Sequence, residues 1–90
     1  MMSSKTKEHE IPKWFQGMIY KEGSIATNPF SKQKCELNNI ELSIYDFIIG
    51  TQYLMEAAPK AVTSKELAKF NKALSWFRKN NPEAYMTLLD

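Results

Sequence analysis

Ninety residues with 43% apolar and 12% aromatic content describe one small globular domain rather than a disordered chain. A domain of this size buries only roughly 60–65% of its unfolded surface, so the core is small. Net charge is +2, and the single cysteine, Cys35, excludes an intrachain disulfide and a cysteine-built zinc site and speaks against an oxidising compartment.

Residues 1–10 are polar and of mixed charge, so they are expected to form a disordered tail, with 11–90 as the single α+β domain. The tail has no apolar run of the kind a secretory signal needs. Its His9 makes no nucleophile–base pair with Cys35, because no third residue is marked out to orient it.

Ile11-Pro12-Lys13-Trp14-Phe15 opens the ordered part. Pro12 suits a first helical position, which predicts a single helical turn through Gln16, ended by Gly17. Between Met18 and Leu37 the pattern changes to short β-preferring runs. Ile25 and Thr27 are expected to share a face with Cys35 and Leu37 on a facing strand. Asn28-Pro29 turns the chain between them, because Pro29 fixes its own φ and disfavours a helical Asn28. Met18–Tyr20 is a candidate third strand. Asn28-Pro29-Phe30 also spells a tripeptide bound by some eukaryotic adaptor domains, but Asn-Pro makes a turn here for local reasons.

Two helix starts are written in the same way. Asn38 and Thr63 are capping residues, each followed three positions later by a glutamate, Glu41 and Glu66, that can reach back to the cap's own amide. Leu37 with Leu42, and Val62 with Leu67, flank the caps as hydrophobic staples. The first helix is predicted from Asn39 to Ala57. Ile40, Ile44, Phe47, Ile48, Leu54 and Met55 form its main stripe, and Leu42, Tyr45, Ile49 and Tyr53 add apolar surface on other sides. A helix apolar on so many sides is central or lends a second face to a partner. Its stretch Ile40 to Met55 contains Glu41, Asp46 and Gln52, which is too short and too polar to span a bilayer. Asp46 inside this helix needs solvent or a partner group, with Trp14 or a lysine as the structural candidates.

The second helix is predicted from Ser64 to Asn80, with Leu67, Phe70, Leu74 and Phe77 as its apolar seam. Asn81-Pro82-Glu83 ends it and starts a short final helix to about Leu89. The expected fold is therefore α+β: a short β-hairpin packed on two antiparallel α-helices plus a short C-terminal helix.

Charge is unevenly spread. Lys60 to Lys79 hold six basic residues and one acid, an excess of five, so the rest of the chain carries −3. Lys65, Lys69, Lys72, Trp76 and Lys79 recur at helical spacing on one face. A row of ammonium groups broken by an indole can track a phosphate backbone while the ring stacks on a base. The ordinary reading is a solvated face covered by lysine stems. A helix-turn-helix does not fit, because Ala57 to Thr63 is too long a connection and contains Pro59.

Three stretches taken together, Asn28-Pro29-Phe30-Ser31, Glu41 to Gly50 and Leu74 to Met86, resemble small hypothetical proteins of marine tailed bacteriophages, including cyanophages. The resemblance covers most of residues 14–90 and implies a viral protein that acts in the cytoplasm of a bacterial host or in the virion. It carries over no functional residues. No acid–base pair, metal cluster or cofactor motif stands out, so no enzyme, metal or cofactor is expected. The function expected is an interaction or minor structural module that modulates a host protein or self-associates, with Tyr45, Ile49 and Tyr53 as the partner surface. Nucleic-acid binding through Lys65, Lys69, Lys72, Trp76 and Lys79 is the alternative.

Overall fold

The computed structural model describes residues 11–15 and 17–89. The expected tail (residues 1–10), Gln16 at the end of the expected first turn, and Asp90 lie outside the described residues.

A two-stranded antiparallel hairpin is followed by helices, as an α+β fold: β1 (Ser24–Thr27), β2 (Lys34–Leu37), α1 (Asn39–Ala57), a 3-10 turn (Pro59–Ala61), α2 (Ser64–Asn80) and a final helix, α3. α3 begins as an α-turn (Pro82–Ala84) and continues as a π-helical turn (Tyr85–Leu89). Both capping boxes form. Glu41 N–H donates to Asn38 Oδ1 (2.8 Å), and Asn38 N–H donates to Glu41 Oε1 (2.9 Å). Glu66 N–H donates to Thr63 Oγ1 (3.1 Å), and Thr63 N–H donates to Glu66 Oε1 (3.1 Å). Each box satisfies amides that a helix start leaves free.

The core gathers at one end of the helix pair. Leu37, Ile40, Ile44, Ile48 and Phe77 are fully buried, with Phe70, Ala73, Ala84 and Leu88 around them. Tyr45 near the start of α1 meets Phe77 near the end of α2 at 6.4 Å between ring centres, so the two helices run in opposite directions. Burial ends on α1 after Ile48, and the distal ends of the pair leave Tyr53, Leu54 and Leu67 exposed.

The hairpin pairs Ser24 with Leu37, Ile25 with Glu36, Ala26 with Cys35 and Thr27 with Lys34. Directly opposed residues share a face, so Ser24, Ala26, Cys35 and Leu37 point to the helices. This corrects the expected face of β1: Ala26 is buried, and Ile25 stands 62% exposed. The physical reason lies at the end of the strand. Asn28 turns inward to donate from Nδ2 to the Thr87 carbonyl (3.0 Å), and the period of two then carries residues 26 and 24 to the same side.

Met18–Tyr20 is not a strand. Tyr20 N–H donates to Ser43 Oγ (2.9 Å), and Asn39 Nδ2 donates to the Tyr20 carbonyl (3.2 Å). Side chains of α1 therefore take the backbone groups a ladder would use. Pro12 opens a turn closed by Phe15 N–H donating to its carbonyl (3.1 Å), with no helix.

Candidate functional site

Two Trp-Phe dipeptides are used in the same way. Phe15 and Phe77 enter the core, while Trp14 and Trp76 stay half-buried at its edge. Each indole meets its own phenylalanine edge to face, at 6.0 Å for Trp14 and 5.8 Å for Trp76. Phe15 continues the contact to Phe47 of α1 at 5.9 Å. This chain of rings sets the segment around Trp14 against α2, and an open groove of about 490 Å³ lies between them, lined by Trp14, Lys72, Trp76, Arg78 and Lys79 with Ser75 and Asn80. Among the described residues no carboxylate lines it. Asn80 Nδ2 donates to the Trp76 carbonyl (2.8 Å), and the Arg78 guanidinium lies 5.8 Å from the Tyr85 ring centre. The structure thus brings Lys72, Trp76 and Lys79 together with Trp14 and Arg78. Lys65 and Lys69 lie further along α2, outside the groove. The contribution of Trp14 was missed in the sequence, although the repeated Trp-Phe pair is a legible signal of one ring in and one ring out.

A second, apolar cleft of about 450 Å³ opens between the hairpin turn, α1 and α3. Ile49, Gln52, Tyr53 and Glu56 line its α1 wall at helical spacing, Pro29 and Phe30 form its lip, and Leu88 and Leu89 close it. The turn is rigidly built. Asn28 Oδ1 accepts from Phe30 N–H (2.8 Å) and Ser31 N–H (3.2 Å), while Lys32 adopts φ 67° and donates its N–H to the Asn28 carbonyl (2.9 Å). The Thr87 carbonyl that receives Asn28 Nδ2 belongs to the last turn of the chain's final helix, where carbonyls lack helical partners. Phe30 is thereby presented 92% exposed beside the cleft.

Ile49 and Tyr53, expected at a partner surface, both line this cleft; Ile49 is half-buried and Tyr53 is 78% exposed. Tyr45 does not join them. It is only 9% exposed and packs on Phe77, so its ring belongs to the core, not to a free surface. The antiparallel partner helix covers that side of α1, which the apolar pattern of α1 alone does not reveal. Phe30 was missed as surface because the tripeptide containing it reads as a turn.

Among the described residues Asp46 accepts at Oδ2 from the Tyr20 hydroxyl (2.8 Å), a partner the sequence did not point to, in place of Trp14 or a lysine. That hydrogen bond, then the Asp46 charge, then slight burial push the Tyr20 phenol above the ordinary tyrosine value. Burial and then Asp46 do the same to Tyr45. Burial first, followed by the charges of Glu83, Glu41 and Glu36, raises the Cys35 thiol above the ordinary cysteine value, which disfavours its nucleophilic thiolate. Among the described residues no three of His, Cys, Asp and Glu converge to hold a metal ion. Nor is any described helix long and apolar enough to cross a membrane.

No family model matches the chain, and no match is found among curated proteins or solved structures.

Proposed function

We propose that this chain is a non-catalytic interaction module that works through the apolar cleft, and that its occupant is a second copy of itself. The observation that carries the proposal is Phe30. A large apolar side chain, 92% exposed on a turn fixed by three Asn28 hydrogen bonds, is held out into solvent where it adds to the apolar surface of the cleft. It stands at the lip of a cleft able to receive a ring.

Knob and hole on one patch suit a two-fold interface, in which each Phe30 enters the other copy's cleft. Charge agrees with this arrangement. Glu56 lies on the cleft wall, and Lys32 extends from the turn that carries Phe30. A two-fold pairing that seats the turn of one copy at the cleft of the other would offer Lys32 to the partner's Glu56. Tyr53, a residue type favoured at interface centres, gains cover in the same step. With the resemblance to phage proteins, the setting proposed is the cytoplasm of an infected bacterium or the virion.

Sedimentation or light scattering across a wide concentration range tests the reading. A dimer is expected that Phe30→Asp or Tyr53→Asp dissociates. Lys32→Glu weakens it, and Glu56→Lys in the same chain restores it. A chain that stays monomeric throughout overturns self-association.

A further inference from the structure

We propose that the groove between Trp14 and α2 binds single-stranded nucleic acid, with bases stacked on the two indoles and phosphates held by Lys72, Arg78 and Lys79. The proposal does not rest on the apolar cleft or on self-association.

Three observations carry it. Trp14 and Trp76 come from segments more than sixty residues apart and line one groove, each half open and each braced from behind by a buried phenylalanine. Braced indoles lose little freedom on stacking. Among the described residues the same groove carries three cations and no carboxylate, in a chain with almost as many acids as bases. Lys72 and Lys79 are also two turns apart on α2, about 10 Å along its axis, with Trp76 between them. Cation, ring and cation thus alternate along one line, which matches the phosphate–base alternation of an unpaired strand.

The alternatives use less of the site. A duplex keeps its bases stacked on each other and leaves both indoles unused. An acidic peptide satisfies the lysines but gains nothing specific from two flat aromatic faces. Arg78 already rests against the Tyr85 ring and so presents its guanidinium partly preordered.

The test is direct because the groove contains both tryptophans of the chain. Titration of the full chain with a short oligothymidylate is expected to quench tryptophan emission. Affinity should fall with salt at a logarithmic slope of about −2, since each of three neutralised phosphates contributes about −0.7. Lys72→Gln with Lys79→Gln should remove about two thirds of that slope. Trp76→Leu should weaken binding about tenfold, the loss of one stacked base. The lysine variants lie on exposed positions and keep the test valid should the Trp76 variant unfold, which the urea midpoint of each variant reports. A duplex of equal length and polyglutamate serve as comparison ligands. No quenching in low salt overturns the proposal. So does polyglutamate binding as tightly as oligothymidylate, or binding that the lysine pair does not affect.

Discussion

The two capping boxes are near-identical in sequence, yet substitution of their glutamates should have different costs. Glu66 works at an exposed helix start, and among the described residues its hydrogen bonds go to Thr63 alone. Glu41 does two things. Oε1 accepts from the backbone of Asn38, a residue only 8% exposed, and Oε2 accepts from Asn81 Nδ2 at 3.0 Å. Asn81 in turn caps α3, accepting from Ala84 N–H at 3.2 Å. Glu41 therefore ties the start of α1 to the junction of α2 and α3, forty positions away.

Glu66→Ala should cost about 1 kcal/mol, the ordinary loss for an exposed box. Glu41→Ala loses a comparable box, takes the Glu41 acceptor away from the backbone N–H of a nearly buried residue, and removes a charged hydrogen bond to Asn81 worth about 1.5–3 kcal/mol. The expected total is about 3 kcal/mol, a large part of the roughly 5–13 kcal/mol available to ninety residues. Helix propensity and the favourable placement of an acid at a helix start change alike in both variants and cancel in the comparison. Urea unfolding measures the pair, and the melting temperatures should differ by about 8–16 °C. Glu41→Gln separates the two roles, since its one amide oxygen can still accept from Asn38 N–H while the NH2 that replaces Oε2 cannot accept from Asn81. A double-mutant cycle of Glu41→Ala with Asn81→Ala should return a coupling of about 1–2 kcal/mol. Costs for Glu41→Ala and Glu66→Ala within about 0.5 kcal/mol of each other would refute the tie, since independent boxes behave that way.

Two glycines should respond in opposite directions. A β-carbon on Gly23 would run into the Leu37 carbonyl oxygen and lie 2.8 Å from Asn38 Cα, both backbone, so Gly23→Ala should destabilise by about 2–3 kcal/mol. Gly50 is in mid-helix with open space around it, so Gly50→Ala should stabilise by about 1 kcal/mol in the same unfolding assay. The raised Tyr20 phenol predicts a pH effect of definite sign. Its hydrogen bond to Asp46 is fully present below the unfolded tyrosine value near 10 and is lost as pH rises through the higher folded value. Asp46→Asn should shift the late part of the near-ultraviolet phenolate titration to lower pH. An unchanged titration curve counts against the assignment.

What could be read from the sequence follows from how local each interaction is. The bounds of α1 and α2 were legible because Asn38, Glu41, Thr63 and Glu66 act within a single turn. The inward face of β1 was not, because Ile25 outranks Ala26 in hydropathy while the strand's orientation is decided by Asn28 reaching Thr87, fifty-nine positions on. Tyr20 reads as strand for the same reason, since its backbone partners are side chains of a helix not yet begun. At the candidate surfaces, Ile49 and Tyr53 were singled out by counting surplus apolar positions on α1, and both line the cleft. Tyr45 looked equivalent by that count, and only the side covered by Phe77 distinguishes it. Trp14 joins the α2 stripe solely through tertiary packing around Phe15.

The cleft and the twin-tryptophan groove have no lining residue in common. Substitutions can therefore separate them, and their combined behaviour makes a stronger demand than either alone. If copies associate through the cleft, each dimer carries two basic grooves, and a strand long enough to reach both gains from the second contact as an intramolecular event. Affinity should then rise steeply with oligothymidylate length in the native chain. Tyr53→Asp should abolish that length dependence while leaving binding of a short strand untouched, because the groove itself is intact. Lys72→Gln with Lys79→Gln should do the reverse, weakening strands of every length without dissociating the dimer. A Tyr53→Asp chain that loses short-strand binding as well would mean that groove and cleft are one surface, and the division drawn from their lining residues would fail.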